Sequence, residues 1–232
     1  MPKNTTDFNA QKFTYKEVIE EKISFAGKGL DFYTKVKADF IKLVISKHLS
    51  DACRPKVLDI GCGHGFIHPM LHSFGYDVTG VEPAEEVLSL AQMSNPENRY
   101  CAYDGQVLPF AEASFDVALA ICVMHHVAPS QWAQFLAEAR RVLRPGGQII
   151  IFEHNPLNPL TSYVVAHNDI DVGAVLLPHR KLADMLRQAG FENVYARSIL
   201  FTPFAHHAFR RLDERLGWLP FGAQYYATGT VV

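Results

Sequence analysis

The chain has 232 residues, 48% of them hydrophobic and 20% charged. That is enough apolar material for one substantial core and rules out extended disorder. A net charge of −2 and a pI near 6.6 provide no global basic field for nucleic acid or an anionic membrane. The four cysteines (Cys53, Cys62, Cys101, Cys122) form no Cys-x-x-Cys pair, and three lie in or beside apolar runs. They read as buried free thiols of a reducing compartment.

Residues 1–12 are polar, with no apolar signal core. The longest uninterrupted apolar run, Val117 to Met124, falls far short of a membrane span. A soluble, cytoplasmic protein is the expectation. Helical spacing of Phe13, Val18, Ile19 and Ile23 predicts a helix over 13–25, stopped at Gly27-Lys28-Gly29. A second helix is predicted over 31–48, with Phe32, Val36, Phe40, Leu43 and Val44 inward and Lys35, Lys37 and Lys42 on a solvated face.

After Pro55 the run Val57-Leu58-Asp59-Ile60 reads as a buried strand that breaks at Gly61-Cys62-Gly63-His64-Gly65 into a short helix over 66–73. Strands are predicted at 77–81, 99–102, 115–121 and 148–152, with helices from Pro83 to Met93 and over 131–143. Arg144-Pro145-Gly146-Gly147 is a breaker, and a Pro/Asn-rich, substrate-facing loop runs over 154–178. A helix over 180–188, a strand over 194–200, a helix over 204–216 and a strand over 224–230 close the chain.

Strands and helices in strict alternation predict a doubly wound parallel α/β sheet, its last two strands forming an edge hairpin. With no linker, repeat or low-complexity tract, residues 1–232 read as one domain, with 1–50 and 154–178 as lids over the ligands.

Open α/β sheets bind ligands at the carboxyl ends of their strands. Gly61, Gly63 and Gly65 let backbone amides approach a ligand. Glu82 follows Gly61 by about 20 residues, where such folds place an acid on a ribose diol; a plain helix N-terminal acid is the alternative. Asp104 ends the next strand beside Tyr103, either to accept from an exocyclic amine or as an Asp-Gly turn residue. Asp59 ends an apolar strand and needs a partner there, either a ligand ammonium or the glycine-loop amides.

Val57 to Gly65, Glu82-Pro83, Asp104-Gly105, Leu108-Pro109-Phe110 to Phe115-Asp116, and Arg141 to Gly147 resemble, in order and spacing, the class I S-adenosylmethionine-dependent methyltransferases. The resemblance covers about Pro55 to Phe191. It implies a seven-stranded, mostly parallel Rossmann-like sheet with helices on both faces and an antiparallel last strand. It implies S-adenosylmethionine as cofactor and S-adenosylhomocysteine as product. Asp59, Gly61, Cys62, Gly63 and Gly65 would hold the methionine part, Glu82 and Pro83 the ribose, and Tyr103, Asp104 and Gly105 the adenine. Backbone near Cys122 and Val123 would complete the pocket. A narrower resemblance, from Phe152-Glu153-His154-Asn155-Pro156 to Thr161, is to a bacterial subgroup, some of whose members appear alongside polysaccharide or glycolipid assembly.

A sulfonium is an activated methyl donor, so positioning and exclusion of water supply most of the effect. A base is needed only for an acceptor that must lose a proton. His125 and His126, after the fourth strand, are candidates to line the acceptor pocket, against a structural pair. Glu153 and His154, after the fifth, could orient the acceptor or cap the loop. His64, His68 and His72 share one helical face, but with no carboxylate beside them a polar face is the better reading, and no metal is expected. The function read is methyl transfer to a small-molecule, glycolipid or saccharide-type acceptor. A nicotinamide-dependent oxidoreductase and a non-catalytic cofactor-binding protein are the rivals. Neither acceptor identity nor oligomeric state is legible.

Overall fold

The apolar runs around Leu58 and Leu119 lie side by side at the middle of one seven-stranded sheet. The computed structural model describes residues 29–49, 54–168, 171–202 and 207–232. The strands are β1 (Lys56–Ile60), β2 (Asp77–Glu82), β3 (Arg99–Ala102), β4 (Phe115–Ile121), β5 (Leu143–His154), β6 (Glu192–Ile199) and β7 (Gln224–Thr230). Their order is β3-β2-β1-β4-β5-β7-β6. The first five pair in parallel, and β7 runs antiparallel between β5 and β6. The expected terminal hairpin therefore forms, with β7 inserted inside the sheet and β6 at its edge.

The helices are α1 (Leu30–Ser46), α2 (His68–Ser73), α3 (Glu85–Ser94), α4 (Trp132–Val142), α5 (Pro159–Ala166), α6 (His179–Gln188) and α7 (His207–Leu216). Successive strand side chains alternate between two cores. Leu58, Ile60, Ile149 and Ile151 pack with Trp132, Leu136 and Val142 of α4 and Leu182 and Leu186 of α6. Val57, Ile150 and Phe152 face the other way, onto Val36, Phe40, Ile41 and Val44 of α1 and Leu71 of α2. Covering both faces is what makes these strands read as continuous apolar runs.

Three local expectations are corrected. Leu30–Ser46 is a core-layer helix of the sheet and not a lid; the predicted 13–25 helix lies outside the described residues. Arg144–Gly147 ends α4 but stays within β5, as an irregularity in which Gly146 N–H donates to Val231 O and Val231 N–H to Gly147 O. The 154–178 loop contains α5, whose start is a side-chain cap. Asn158 Oδ1 accepts from Thr161 N–H at 3.0 Å, and Pro159 opens the helix.

Candidate active site

The site lies along the carboxyl ends of β1, β2, β4 and β5. At β1 the chain turns through Gly61, where Gly61 and Cys62 N–H both donate to Val81 O. Gly61 has φ +71°, and a Cβ there would lie 2.8 Å from Val123 Cγ2. Val123, just past β4, thus packs on the turn that the sequence placed beside it. At Gly63, with φ +52°, a Cβ would meet nothing within 4 Å, so this part of the turn borders open space.

Glu82 brings the turn and the second strand together. Its Oε2 accepts from Gly63 N–H at 3.0 Å and its Oε1 from Ala84 N–H at 3.2 Å. Burial raises its carboxyl while those amides pull it down, with a net rise. Glu82 thus accepts from the residue just before the next helix and also from the glycine turn. Tyr103 adjoins this group, its phenol pushed up by burial and by Glu82 and Cys62. Pro83 Cγ lies 3.8 Å from where a Gly105 Cβ would be. The Cys62 thiol is also pushed up, by burial and by Asp59 and Glu82, which suits a packed thiol and not a nucleophile.

Asp104 makes a turn contact. It is exposed, and its Oδ1 accepts from the N–H groups of Gln106 and Val107, both at 2.8 Å, which lowers its carboxyl.

Among the described residues Asp59 pairs with a histidine and not with the glycine-loop amides. Its Oδ2 lies 3.0 Å from His68 Nε2, and His68 Nδ1 lies 2.7 Å from Tyr100 Oη. His68 is 0% exposed, so the reading of His64, His68 and His72 as one polar face fails. His64 instead stacks on Phe66, while His72 is exposed. Asp59 Oδ1 is buried with no partner among the described residues.

The β4–β5 side is built from side chains. Cys122 sits in the left-handed region at φ +58°, a strained conformation for a residue with a Cβ, and donates its N–H to Phe152 O at 2.8 Å. A 3₁₀ turn, Met124–His126, follows. Fully buried Glu153 holds that turn, its Oε1 accepting from Met124 N–H at 2.8 Å and its Oε2 lying 2.5 Å from His125 Nδ1. His125 Nε2 faces Asp171 Oδ1 at 3.4 Å, and His126 Nε2 lies 3.7 Å from the same oxygen. His154 packs against His125 with ring centroids 5.2 Å apart.

Charge divides these rings. Burial opposes a proton on His125, yet Glu153 and Asp171 hold it well above the usual histidine range. Burial, then the His125 cation, pushes both His126 and His154 down to about 4. Burial would raise Glu153, but His125 holds it low. His125 is thus a cationic strut, and His126 and His154 are neutral.

The segment after β5 is structural. Asn155 Nδ2 donates to Pro220 O and Gly222 O, Asn158 Nδ2 to Phe221 O, and Thr161 Oγ1 to Ala223 O. Its asparagines fasten the turn that leads into β7.

Sequence reasoning missed His68, Tyr100, Lys37 and Asp171. Lys37, expected on a solvated face, is 9% exposed and acts electrostatically on Cys122 and His154. Asp171 gave no signal within a polar loop. Two clefts of about 590 Å³ each lie elsewhere: one at the amino ends of β1, β3 and β4 (Lys56, Arg99, Phe115), the other between α1 and β6 (Phe40, Leu43, Tyr195). Neither touches the glycine turn or the histidine cluster.

This strand order with an antiparallel β7 differs from the dinucleotide-binding order 3-2-1-4-5-6. Together with the acid–glycine turn it makes a Rossmann-like methyltransferase fold. Residues 58–151 match the family of methyltransferase domains, which supports a class I S-adenosylmethionine-dependent methyltransferase.

A ubiquinone biosynthesis O-methyltransferase from Ruegeria pomeroyi is 32% identical over 165 residues, covering 65% of this chain and 65% of that relative's length. A methyltransferase structure from Thermotoga maritima superposes with a TM-score of 0.69 at 20% identity, covering 97% of this chain and 100% of that one. Phosphoethanolamine N-methyltransferase 2 from Haemonchus contortus, in complex with S-adenosyl-L-methionine, gives 0.64 at 16%, covering 100% of this chain and 61% of that one. The last two share the fold.

S-adenosylmethionine is the cofactor of the class, and the residues present fit it. The turn borders open space at Gly63, Glu82 stands against it, and Asp59 keeps one buried oxygen unpartnered. No helix among the described residues is long and apolar enough to cross a membrane.

Proposed function

We propose that the protein transfers a methyl group from S-adenosylmethionine to a hydroxyl of a small-molecule, glycolipid or saccharide-type acceptor. The observation that carries this is the contact between Gly63 N–H and Glu82 Oε2, with Val123 packed on Gly61. It gathers the ends of β1, β2 and β4 on one rim. The bound cofactor supplies an activated methyl on a sulfonium. Asp59 and the glycine turn hold its amino-acid end, Glu82 and Pro83 its sugar, and Tyr103, Asp104 and Gly105 its base, with Cys122 and Val123 as the remaining wall.

On the acceptor side His125, locked between two carboxylates, orients and does not exchange protons. His126 is neutral and less buried than His125, so it is the ring that lines the acceptor pocket and accepts a hydrogen bond from the acceptor's hydroxyl. Glu153 and His154 keep that pair in place. The O-methyltransferase name of the Ruegeria relative supports an oxygen acceptor, and the resemblance of Phe152 to Thr161 to a bacterial subgroup supports the glycolipid class. A cytoplasmic setting suits the free thiols Cys62, Cys101 and Cys122.

Incubating the protein with methyl-labelled cofactor and a metabolite and lipid extract should transfer label to one acceptor class, identified by mass spectrometry. Cofactor binding with no label transferred to any acceptor would establish the non-catalytic alternative.

A further inference from the structure

We propose that His125, His154 and Asp171 form a binding site for a divalent transition cation of the zinc class. One ligand atom from each lies within 4.8 Å of the other two. Two imidazoles and a carboxylate are a donor set that zinc-type ions take.

The unequal distances around His125 carry the inference furthest. Its Nδ1 lies 2.5 Å from Glu153, whereas its Nε2 stands off from Asp171 Oδ1 at 3.4 Å, longer than a charged hydrogen bond needs to be. With ligand bonds of about 2.0–2.2 Å, a tetrahedral ion separates its ligand atoms by about 3.4 Å. The longer gap is therefore the edge of such a site: the ion takes the place of the proton that His125 Nε2 holds toward Asp171 in the cation-free protein, and the short contact, with Nδ1–H kept on Glu153, is the carboxylate–imidazole pair that orients a metal-ligating histidine.

Two of the ligands have a supporting partner. Glu153 holds His125, and is itself held by Met124 N–H. Asn168 Nδ2 donates to Asp171 Oδ2 at 2.7 Å, which leaves Oδ1 turned to the histidines. Ligands and partners drawn from the turn after β4, from the end of β5 and from Asn168 and Asp171 form a built site and not a chance meeting of polar groups. Lys37 adds a nearby positive charge, which the carboxylates of Glu153 and Asp171 offset. An ion here would sit beside His126 and could polarise an acceptor oxygen.

The test uses chelator-treated full-length protein without S-adenosylmethionine, so it is independent of methyl transfer. Titration with Zn²⁺ by calorimetry, and with Co²⁺ by visible absorption, should show one ion per chain and the bands of low-coordinate cobalt. Asp171→Asn and His154→Gln should each weaken binding by at least about 10–100-fold. His72→Ala, on an exposed helical position, should leave it unchanged. Absence of cobalt bands, or unchanged affinity in both site variants, would overturn the site, as would loss of binding in His72→Ala. Circular dichroism identifies a variant that has unfolded, and the other then decides.

Discussion

On the β1–β2 side of the rim, the ligand-facing surface is mostly backbone. Glycines turn the chain at Gly61 and Gly63, and one carboxylate, Glu82, ties two strand ends together. On the β4–β5 side it is side chains, with His125, His126, Glu153, His154 and Asp171 gathered from three separate stretches of chain. The first kind of surface, on the proposed cofactor side, is written in local spacing. The second, on the proposed acceptor side, is assembled only when the sheet forms.

That contrast can be broken most directly at His126. His126→Ala should lower turnover by about 10-fold while cofactor affinity, read by calorimetry, stays within twofold. Equal losses in both would place His126 on the cofactor side and erase the division. Next comes the support beneath the glycine turn. His68→Ala leaves the Asp59 carboxylate buried with no partner and should cost about 3–5 kcal/mol in denaturant unfolding. Retention of full stability would mean that Asp59 is satisfied by something other than His68.

The sharper tests on the cofactor side are smaller than the His68 loss. Glu82→Ala removes a charged acceptor worth about 1.5–3 kcal/mol per hydrogen bond, so S-adenosylmethionine affinity should fall by about 10–100-fold. Unchanged affinity by calorimetry would sink the ribose assignment. Gly61→Ala and Gly63→Ala separate strain from space. Both force a side chain into a left-handed backbone at about 1–2 kcal/mol, but only Gly61→Ala also collides with Val123. Gly61→Ala should therefore show the larger drop in Tm. Equal drops would deny that Val123 packs on the turn.

The same contrast explains what was legible in the sequence. The β1 strand, its glycine turn and Glu82 were readable because apolar runs, breakers and a spacing of about 20 residues are local facts. Val123 and Cys122 were placed only by the family resemblance. His68 was misread because helical spacing put it with His64 and His72, and nothing local reveals that Asp59 lies inward of it. Helix α5 was hidden inside a Pro/Asn-rich stretch, although Asn158-Pro159 is a cap followed by a first-turn proline. Asp171 was invisible, since its role depends on a loop returning to the ends of β4 and β5.

The pH dependence of stability should separate the histidines within one cluster. In cation-free protein, His126 and His154 sit at about 4, below the usual value of about 6.5. As pH falls from about 6.5 toward 4, the unfolded chain takes up protons at these rings that the folded chain refuses. Stability then falls, by up to about 1.4 kcal/mol per pH unit for each ring. Glu153, held low, adds a loss only further down, as pH drops through its folded value. His125 works in the opposite sense. Its folded value is raised, so its contribution is whole below about 6.5 and is lost as pH climbs through the folded value. Denaturant midpoints measured across pH should therefore give a dome, with His154→Gln flattening the acid limb and His125→Gln the alkaline one. If both variants kept both limbs, the cationic strut with neutral flanking rings would be the wrong charge assignment.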